Sequence, residues 1–305
     1  IDGTPAYNVG TSFSTPWVSR MAAELTHLVK EEFDPLLIRA LLIHNAKYPA
    51  NNSMSMTDKV TQMGFGAPSS VQEMLYNSED EITLILRDTL EKGSFIEMFD
   101  FPFPESLVDK DGNFVGQIIV TLVTKSLLDD KQAGEYCQSN IDILFGTYET
   151  ETDRDTSKKG IKNPKGLEEP QNILLESLYS ARVKGAHPFT GFERECTLVK
   201  YGKKFHPVKK YAIDLSEMTT SNRQRYLRGD RKWYLKIEGL YRDFIEQDAR
   251  ARNYQLSQEY CLLLTIRDPN GKAPVYDEVA QQLDYKNFLH HNIQLRNVVT
   301  IDGTL

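Results

Sequence analysis

The spacing of apolar residues along the chain changes near residue 78. Before that point the period is helical. Trp17 to Lys30 carries apolar residues at Val18, Met21, Ala22, Leu25, Leu28 and Val29, a spacing of three or four that predicts a helix with one apolar face. After a break at Phe33-Asp34-Pro35 comes a second apolar run, Leu36 to Ile43, for which Pro35 suits a first helical position. Residues 49 to 63 read as a loop. Ser70 to Tyr76 reads as a short helix with Val71, Met74 and Leu75 on one face.

Beyond residue 78 the period falls to two. Trp233, Leu235 and Ile237 alternate with Lys232, Tyr234 and Lys236, and Tyr260, Leu262, Leu264 and Ile266 form another alternating row. Such rows predict strands with one face in a core and the other toward water. Strands are expected at residues 82–86, 95–99, 117–124, 140–148, 195–201, 209–215, 232–240, 259–266 and 292–300. Short strands with turns between them suit an antiparallel β-sandwich of the jelly-roll kind. A charged, Pro/Gly-punctuated excursion at residues 149–171 and a helix-like stretch from Asn172 to Val183 interrupt it. That insertion either merely connects two strands or docks a partner protein. The fold class expected is α+β, with helices over residues 1–78 and a β-sandwich over 79–305, the inserted loop and helix falling at about 149–184.

Composition narrows the function. A net charge of −7 argues against a nucleic-acid partner. No apolar run approaches the roughly 20 residues that cross a bilayer, so no membrane partner is expected. Cys137, Cys196 and Cys261 are odd in number, widely scattered and set in apolar or alternating runs. They read as small buried hydrophobes in a reducing, cytoplasmic setting, not as a disulfide framework.

The candidate chemistry sits where the first helix opens, at Gly10-Thr11-Ser12-Phe13-Ser14-Thr15-Pro16. Glycine lets backbone approach a substrate closely, and the unpaired first-turn N–H groups offer positive potential to an oxyanion. Pro16 is read as a first-turn residue, where it removes no helical bond. Ser12 is the candidate nucleophile, with Gly10 and Thr11 as substrate and oxyanion support.

The same string resembles the nucleophile motif of the subtilisin-like serine proteases (subtilases), G-T-S-x-A/S-x-P, through Gly10, Thr11, Ser12, Ser14 and Pro16. Asp34 to Ala46 looks like that family's next helix, a polar-Pro start leading to an apolar run and a small-polar-Ala ending. Gly64-Phe65-Gly66 sits where the family has a G-x-G element closing its catalytic domain. The resemblance implies acyl transfer to a protein or peptide substrate, with Ser12 as nucleophile and its own N–H as one oxyanion donor. It also implies that residues 1–78 are the C-terminal helices of a subtilisin-like α/β catalytic domain, followed by the sandwich.

The other catalytic elements do not appear in the sequence. A subtilase orders its triad Asp, His, Ser along the chain. Here no Asp-Ser/Thr-Gly, no His-Gly-Thr-His and no oxyanion-asparagine element is found, and the Ile-Asp-Gly-Thr runs at 1–4 and 301–304 read as turns. The expectation is a C-terminal portion of a longer protease, whose N-terminal half carries Asp and His, and which is inactive alone because a serine without a base is a weak nucleophile. His27 and His44 read as packed or surface residues. His290 and His291 would face opposite sides of a strand and share no metal.

No metal or cofactor is assigned. Asp109-Lys110-Asp111-Gly112-Asn113 resembles the start of a calcium loop, but it lacks the closing glutamate and reads as a hairpin turn, which leaves calcium without a site. Lys203, Lys204, Lys209 and Lys210 around His206 read as charges on a solvated strand face. Tyr226, Trp233, Tyr234 and Tyr241, near Arg223, Arg225, Arg228 and Arg231, read as core aromatics before a carbohydrate or peptide surface.

Among subtilases, the Leu42-Ile43-His44-Asn45-Ala46 ending, the three cysteines and the large sandwich resemble an intracellular bacterial protease encoded beside an AAA-type ATPase in plasmid-stability and phage-defence modules. That likeness implies the ATPase as partner and a role in antiviral defence. The alternative function is a non-catalytic β-sandwich module that recruits substrate or the ATPase.

Overall fold

Strand pairing is antiparallel in every sheet contact of the computed structural model, which describes residues 10–29, 33–48, 56–149, 170–179, 205–285 and 293–295. The strands are β1 (Glu81–Glu91), β2 (Phe95–Phe101), β3 (Gln117–Thr124), β4 (Ser139–Tyr148), β5 (Gln171–Asn172), β6 (Val208–Asp214), β7 (Lys232–Tyr241), β8 (Ser257–Arg267) and β9 (Ile293–Leu295). They form a five-stranded sheet in the order β6-β3-β8-β1-β9 and a four-stranded sheet in the order β2-β7-β4-β5. The class is α+β, as expected. The strand expected at residues 195–201 lies outside the described residues, as does most of the one at 292–300.

One buried cluster joins the two sheets. Ile82, Leu84 and Leu86 of β1, Ile118, Val120 and Leu122 of β3, and Leu262, Leu264 and Ile266 of β8 pack with Ile141, Ile143 and Phe145 of β4 and Leu235 and Ile237 of β7. Trp233 anchors its aromatic part, stacked on Phe103 at 4.1 Å and 7° and flanked by Phe114 and Phe145. Burying each large apolar side chain there contributes roughly 1.5–3 kcal/mol.

The side chains between these, Ile85, Val123, Cys261 and Leu263, are buried too, in a second cluster. This corrects the expectation that each strand keeps one face in water. Helices α1 (Thr11–Val29), α2 (Pro35–His44) and α4 (Val71–Leu75) supply Met21, Leu25, Leu37, Ile38, Ala40, Leu41, Val71 and Met74 to that cluster, so the five-stranded sheet is covered on its outer side. The covered side explains why residues 118–123 of β3 and 260–266 of β8 are apolar on both faces except for Thr121 and Thr265.

Two further expectations change. Residues 56–63, within the expected loop, form α3 (Met56–Met63), a helix too short for its period to stand out, with Asp58 suitably placed in its first turn. The helix expected from Asn172 is not formed over the described residues 172–179. Ile173 donates to the Phe145 carbonyl at 2.9 Å and Asn172 Oδ1 accepts from Leu174 N at 3.0 Å, which diverts the backbone into β5 and a 3-10 turn at Glu176–Leu178. The approach of β5 is so close that a Cβ on Gly146 would lie 1.7 Å from the Gln171 carbonyl oxygen.

Three short helices were not anticipated: α5 (Thr220–Tyr226), α6 (Asp243–Arg252) and α7 (Val275–Tyr285). The last buries Val275, Val279 and Leu283, spaced by four, in the intersheet cluster. Its Gln282 exchanges hydrogen bonds with both backbone groups of Phe103.

Candidate functional site

Ser12 is the second residue of α1, and it is exposed, as is every residue from Gly10 to Trp17. The N–H groups of Thr11 and Ser12 fall in the first turn of α1, where the helix itself supplies no partner for them. Phe13 N donates to the Gly10 carbonyl at 3.0 Å, and Ser14 Oγ folds back onto the Thr11 carbonyl at 3.2 Å. A Cβ on Gly10 would meet only Phe13 Cδ2, at 3.9 Å, an ordinary contact. Beside Ser12 two large side chains stand in solvent, Phe13 at 62% and Trp17 at 49%.

Pro16 corrects a detail of the sequence reading. Because α1 starts at Thr11, the proline lies inside the helix and not in its first turn. It therefore removes the N–H that would have bonded the Ser12 carbonyl.

The rest of α1 is fastened through its neighbours. Met21 and Leu25 are its buried side chains, and they meet α2 and α4. The start of α2 is fixed by Asp34, whose Oδ1 accepts from Leu36 N at 2.8 Å and Leu37 N at 3.2 Å while Oδ2 meets Arg87 of β1 at 3.2 Å. Past α2, the Gly64-Phe65-Gly66 element closes back on the chain. Lys47 and Ala67 exchange backbone bonds at 2.9 and 3.0 Å, and Tyr48 Oη donates to the Gly64 carbonyl at 2.5 Å. Gly66 has φ +89°, and a Cβ there would sit 2.4 Å from the Lys47 carbonyl oxygen, so only glycine fits.

Each described histidine is either far along α1 from Ser12 or hydrogen-bonded to other partners. His27 lies fifteen residues along the same helix, about 22 Å away at 1.5 Å per residue. His44 is buried at 3% exposure, with Nδ1 on Thr121 Oγ1 at 2.9 Å and Nε2 on Thr265 Oγ1 at 2.7 Å. His206 turns its Nδ1 to the Val208 carbonyl at 2.7 Å. His187, His290 and His291 lie outside the described residues.

Other candidate features resolve into structure. Asp109 Oδ1 accepts from Asp111 N and Asn113 N at 3.0 and 2.9 Å and its Oδ2 meets Arg223, so the carboxylate is consumed in the turn. Among the described residues no cluster of three or more His, Cys, Asp or Glu side chains has the makings of a metal site. No described helix is long and apolar enough to cross a membrane.

The lysine cluster is not a solvated face. Lys209 is 1% exposed and donates to the Ile141 carbonyl and Asp142 Oδ1, both at 2.5 Å, while Lys210, 3% exposed, donates to the Ala46 carbonyl at 2.7 Å. Lys203 and Lys204 lie outside the described residues. Of the arginines near the aromatic group, Arg225 lies over the Tyr226 ring at 5.1 Å, Arg223 pairs with Asp109, and the other two are engaged with acids or backbone. Arg228 pairs with Asp230 at 2.9 Å, and buried Arg231 holds Glu149 at 2.8 Å and the Thr147 hydroxyl at 2.9 Å.

Cys137 and Cys261 are buried free thiols, and Cys196 lies outside the described residues. Burial, with the Asp34 charge adding to it, pushes the Cys261 thiol far above its ordinary range.

Residues 4–69 match the model of the subtilase family. The match spans the serine string, α1, α2, α3 and the glycine element, and it points to serine-protease chemistry in general. Among curated proteins, none matches the chain.

Proposed function

We propose that this chain carries the nucleophile of a subtilisin-like serine endopeptidase and that Ser12 is that nucleophile. The observation that carries the reading is the exposed Ser12 hydroxyl at the N-terminal tip of α1, inside the segment that matches the subtilase model. In the reaction Ser12 Oγ attacks a peptide carbonyl as a histidine takes its proton, and the acyl-enzyme is then hydrolysed by water. The oxyanion is held by the Ser12 N–H and an amide side chain; one such donor is typically worth about 100- to 1000-fold in rate.

The histidine, the aspartate and the second oxyanion donor come, in this reading, from polypeptide outside the chain. Support comes from the engagement of His44 and His206 elsewhere and the distance of His27. The exposed apolar surface of Phe13 and Trp17 on the same helix end is what such a packing polypeptide would cover.

Residues 1–78 then form the end of the peptidase domain and residues 79–305 a jelly-roll sandwich. The pairings β1 with β8, β2 with β7, β3 with β6 and β4 with β5 support the latter, being those of a ribbon of four strand pairs rolled into two sheets. An intracellular setting and an AAA-type ATPase partner belong to the same proposal and rest on the narrower resemblance. The activity is tested with a fluorophosphonate probe on the full-length protein: the adduct maps to Ser12, and Ser12→Ala removes both adduct and proteolysis. An adduct on another serine, or undiminished proteolysis in Ser12→Ala, sinks the proposal.

A further inference from the structure

The outer face of the five-stranded sheet is apolar at Ile85, Val123, Cys261 and Leu263, yet it also holds three buried threonines, Thr83 on β1, Thr121 on β3 and Thr265 on β8. A hydroxyl buried without a partner is costly, so three on one covered face call for a polar group inserted from the covering layer. That group is His44, on the last turn of α2. Its two ring nitrogens meet Thr121 Oγ1 at 2.9 Å and Thr265 Oγ1 at 2.7 Å, and Thr265 Oγ1 in turn meets Thr83 Oγ1 at 2.5 Å.

Apolar contact alone does not fix a helix on a sheet, because it is non-directional and tolerates sliding and rotation. Hydrogen bonds from both nitrogens of a planar ring to two strands leave α2 one position and one rotation. Two further polar contacts act at its ends. Lys210 Nζ, beside Thr121 in the β3–β6 register, donates to the Ala46 carbonyl at 2.7 Å, and Arg87 of β1 meets Asp34 at 3.2 Å. Ser12 stands on α1, which has few buried side chains of its own and packs on α2 and α4. The helix bearing the serine is therefore located by α2 together with α4, and α2 by the sheet.

We propose that His44 is a positioning residue for Ser12, and that the threonine row of the five-stranded sheet is the receptor that sets the nucleophile helix. The proposal rests on the protease reading for its catalytic consequence and on the geometry alone for its mechanical one. Catalytic groups need to be held to within about half an ångström by supporting contacts. A misplacement near 1 Å costs on the order of 100-fold in rate.

The mechanical part is read by hydrogen exchange on this chain. His44→Leu keeps an apolar filler and removes both bonds; Thr265→Val removes one hydroxyl while keeping the strand's side-chain shape. Each is expected to speed amide exchange in residues 11–29 and 35–44 by roughly tenfold or more, while β4 and β7 hold their protection. His44→Gln, which places an amide near the Nε2 position, restores part of it. Uniform acceleration over the whole chain, or none in α1, overturns the proposal.

The catalytic part is read on the full-length protein. His44→Leu should lower kcat by about 10- to 100-fold with KM within about twofold, as for a displaced nucleophile in an intact binding cleft. An unchanged kcat in a protein that Ser12→Ala inactivates overturns positioning and leaves the protease reading standing. Activity surviving Ser12→Ala overturns the protease reading and leaves the exchange result to judge the mechanical part by itself.

Discussion

A serine hydroxyl without a base is a poor nucleophile; Ser12 and Ser14 share the exposed tip of α1, but the Ser14 hydroxyl is folded back onto the Thr11 carbonyl while Ser12 lies in the first turn, whose amides the helix does not use. Side chains elsewhere owe their behaviour to surroundings in the same way. Burial acts to raise the Asp268 pKa, but the backbone amides of Asn270, Lys272 and Ala273, with the Asn270 side chain, bond the carboxylate and hold it below its ordinary value. A lowered folded-state pKa contributes stability above the unfolded value of about 4, which is lost as pH falls through the folded value. Asp268→Asn should accordingly lower the melting temperature at pH 7 and flatten its fall below about pH 4; an acid limb as steep as the wild type's would show that other groups govern it. Cys261 tests burial from the opposite side. Its thiol, pushed up by burial, should stay unmodified by iodoacetamide at pH 8 in the native chain and react on unfolding, as peptide mapping would register.

At the scale of elements, the glycine closure shows why short motifs carry structural as well as chemical information. Gly66 is needed because its φ of +89° and the Lys47 carbonyl 2.4 Å from a would-be Cβ leave no room for a side chain. Gly66→Ala should cost about 1–3 kcal/mol or more by the backbone term alone. The loss should appear in urea melts as a lower midpoint with an unchanged slope, and a neutral effect would mean that the Lys47–Ala67 bridge is not formed in solution. Most strands and the two long helices of the first segment were legible because their periods persist over many residues. The cap at Asp34-Pro35 and the Gln117–Thr124 strand fall where the residues place them. What escaped was short or tertiary in origin: α3 and α5 show too few turns for a period, and α7 displays its Val275-Val279-Leu283 stripe over barely three turns. Lys209 and Lys210 read as surface charges because no local pattern reveals that the Ile141 and Ala46 carbonyls, 68 and 164 residues away in sequence, await them.

For the whole molecule, the change of period near residue 78 marks a change of secondary structure, while the packing runs straight across it. Val71 and Met74 bury against the same cluster as Cys261 and Leu263, so the helices and the five-stranded sheet share a core. The serine motif was readable from the sequence; its mechanical dependence on His44 and three threonines was not, since those residues meet only through the sheet register. The claim on which the account turns is that Ser12 is a nucleophile whose base lies outside this chain. It is tested most directly by treating this chain and the full-length protein side by side with a fluorophosphonate probe and locating the adduct by mass spectrometry. The account predicts an adduct on Ser12 in the full-length protein and none on the chain alone. Rapid labelling of the isolated chain, or a full-length protein whose Ser12 stays unmodified, would contradict it.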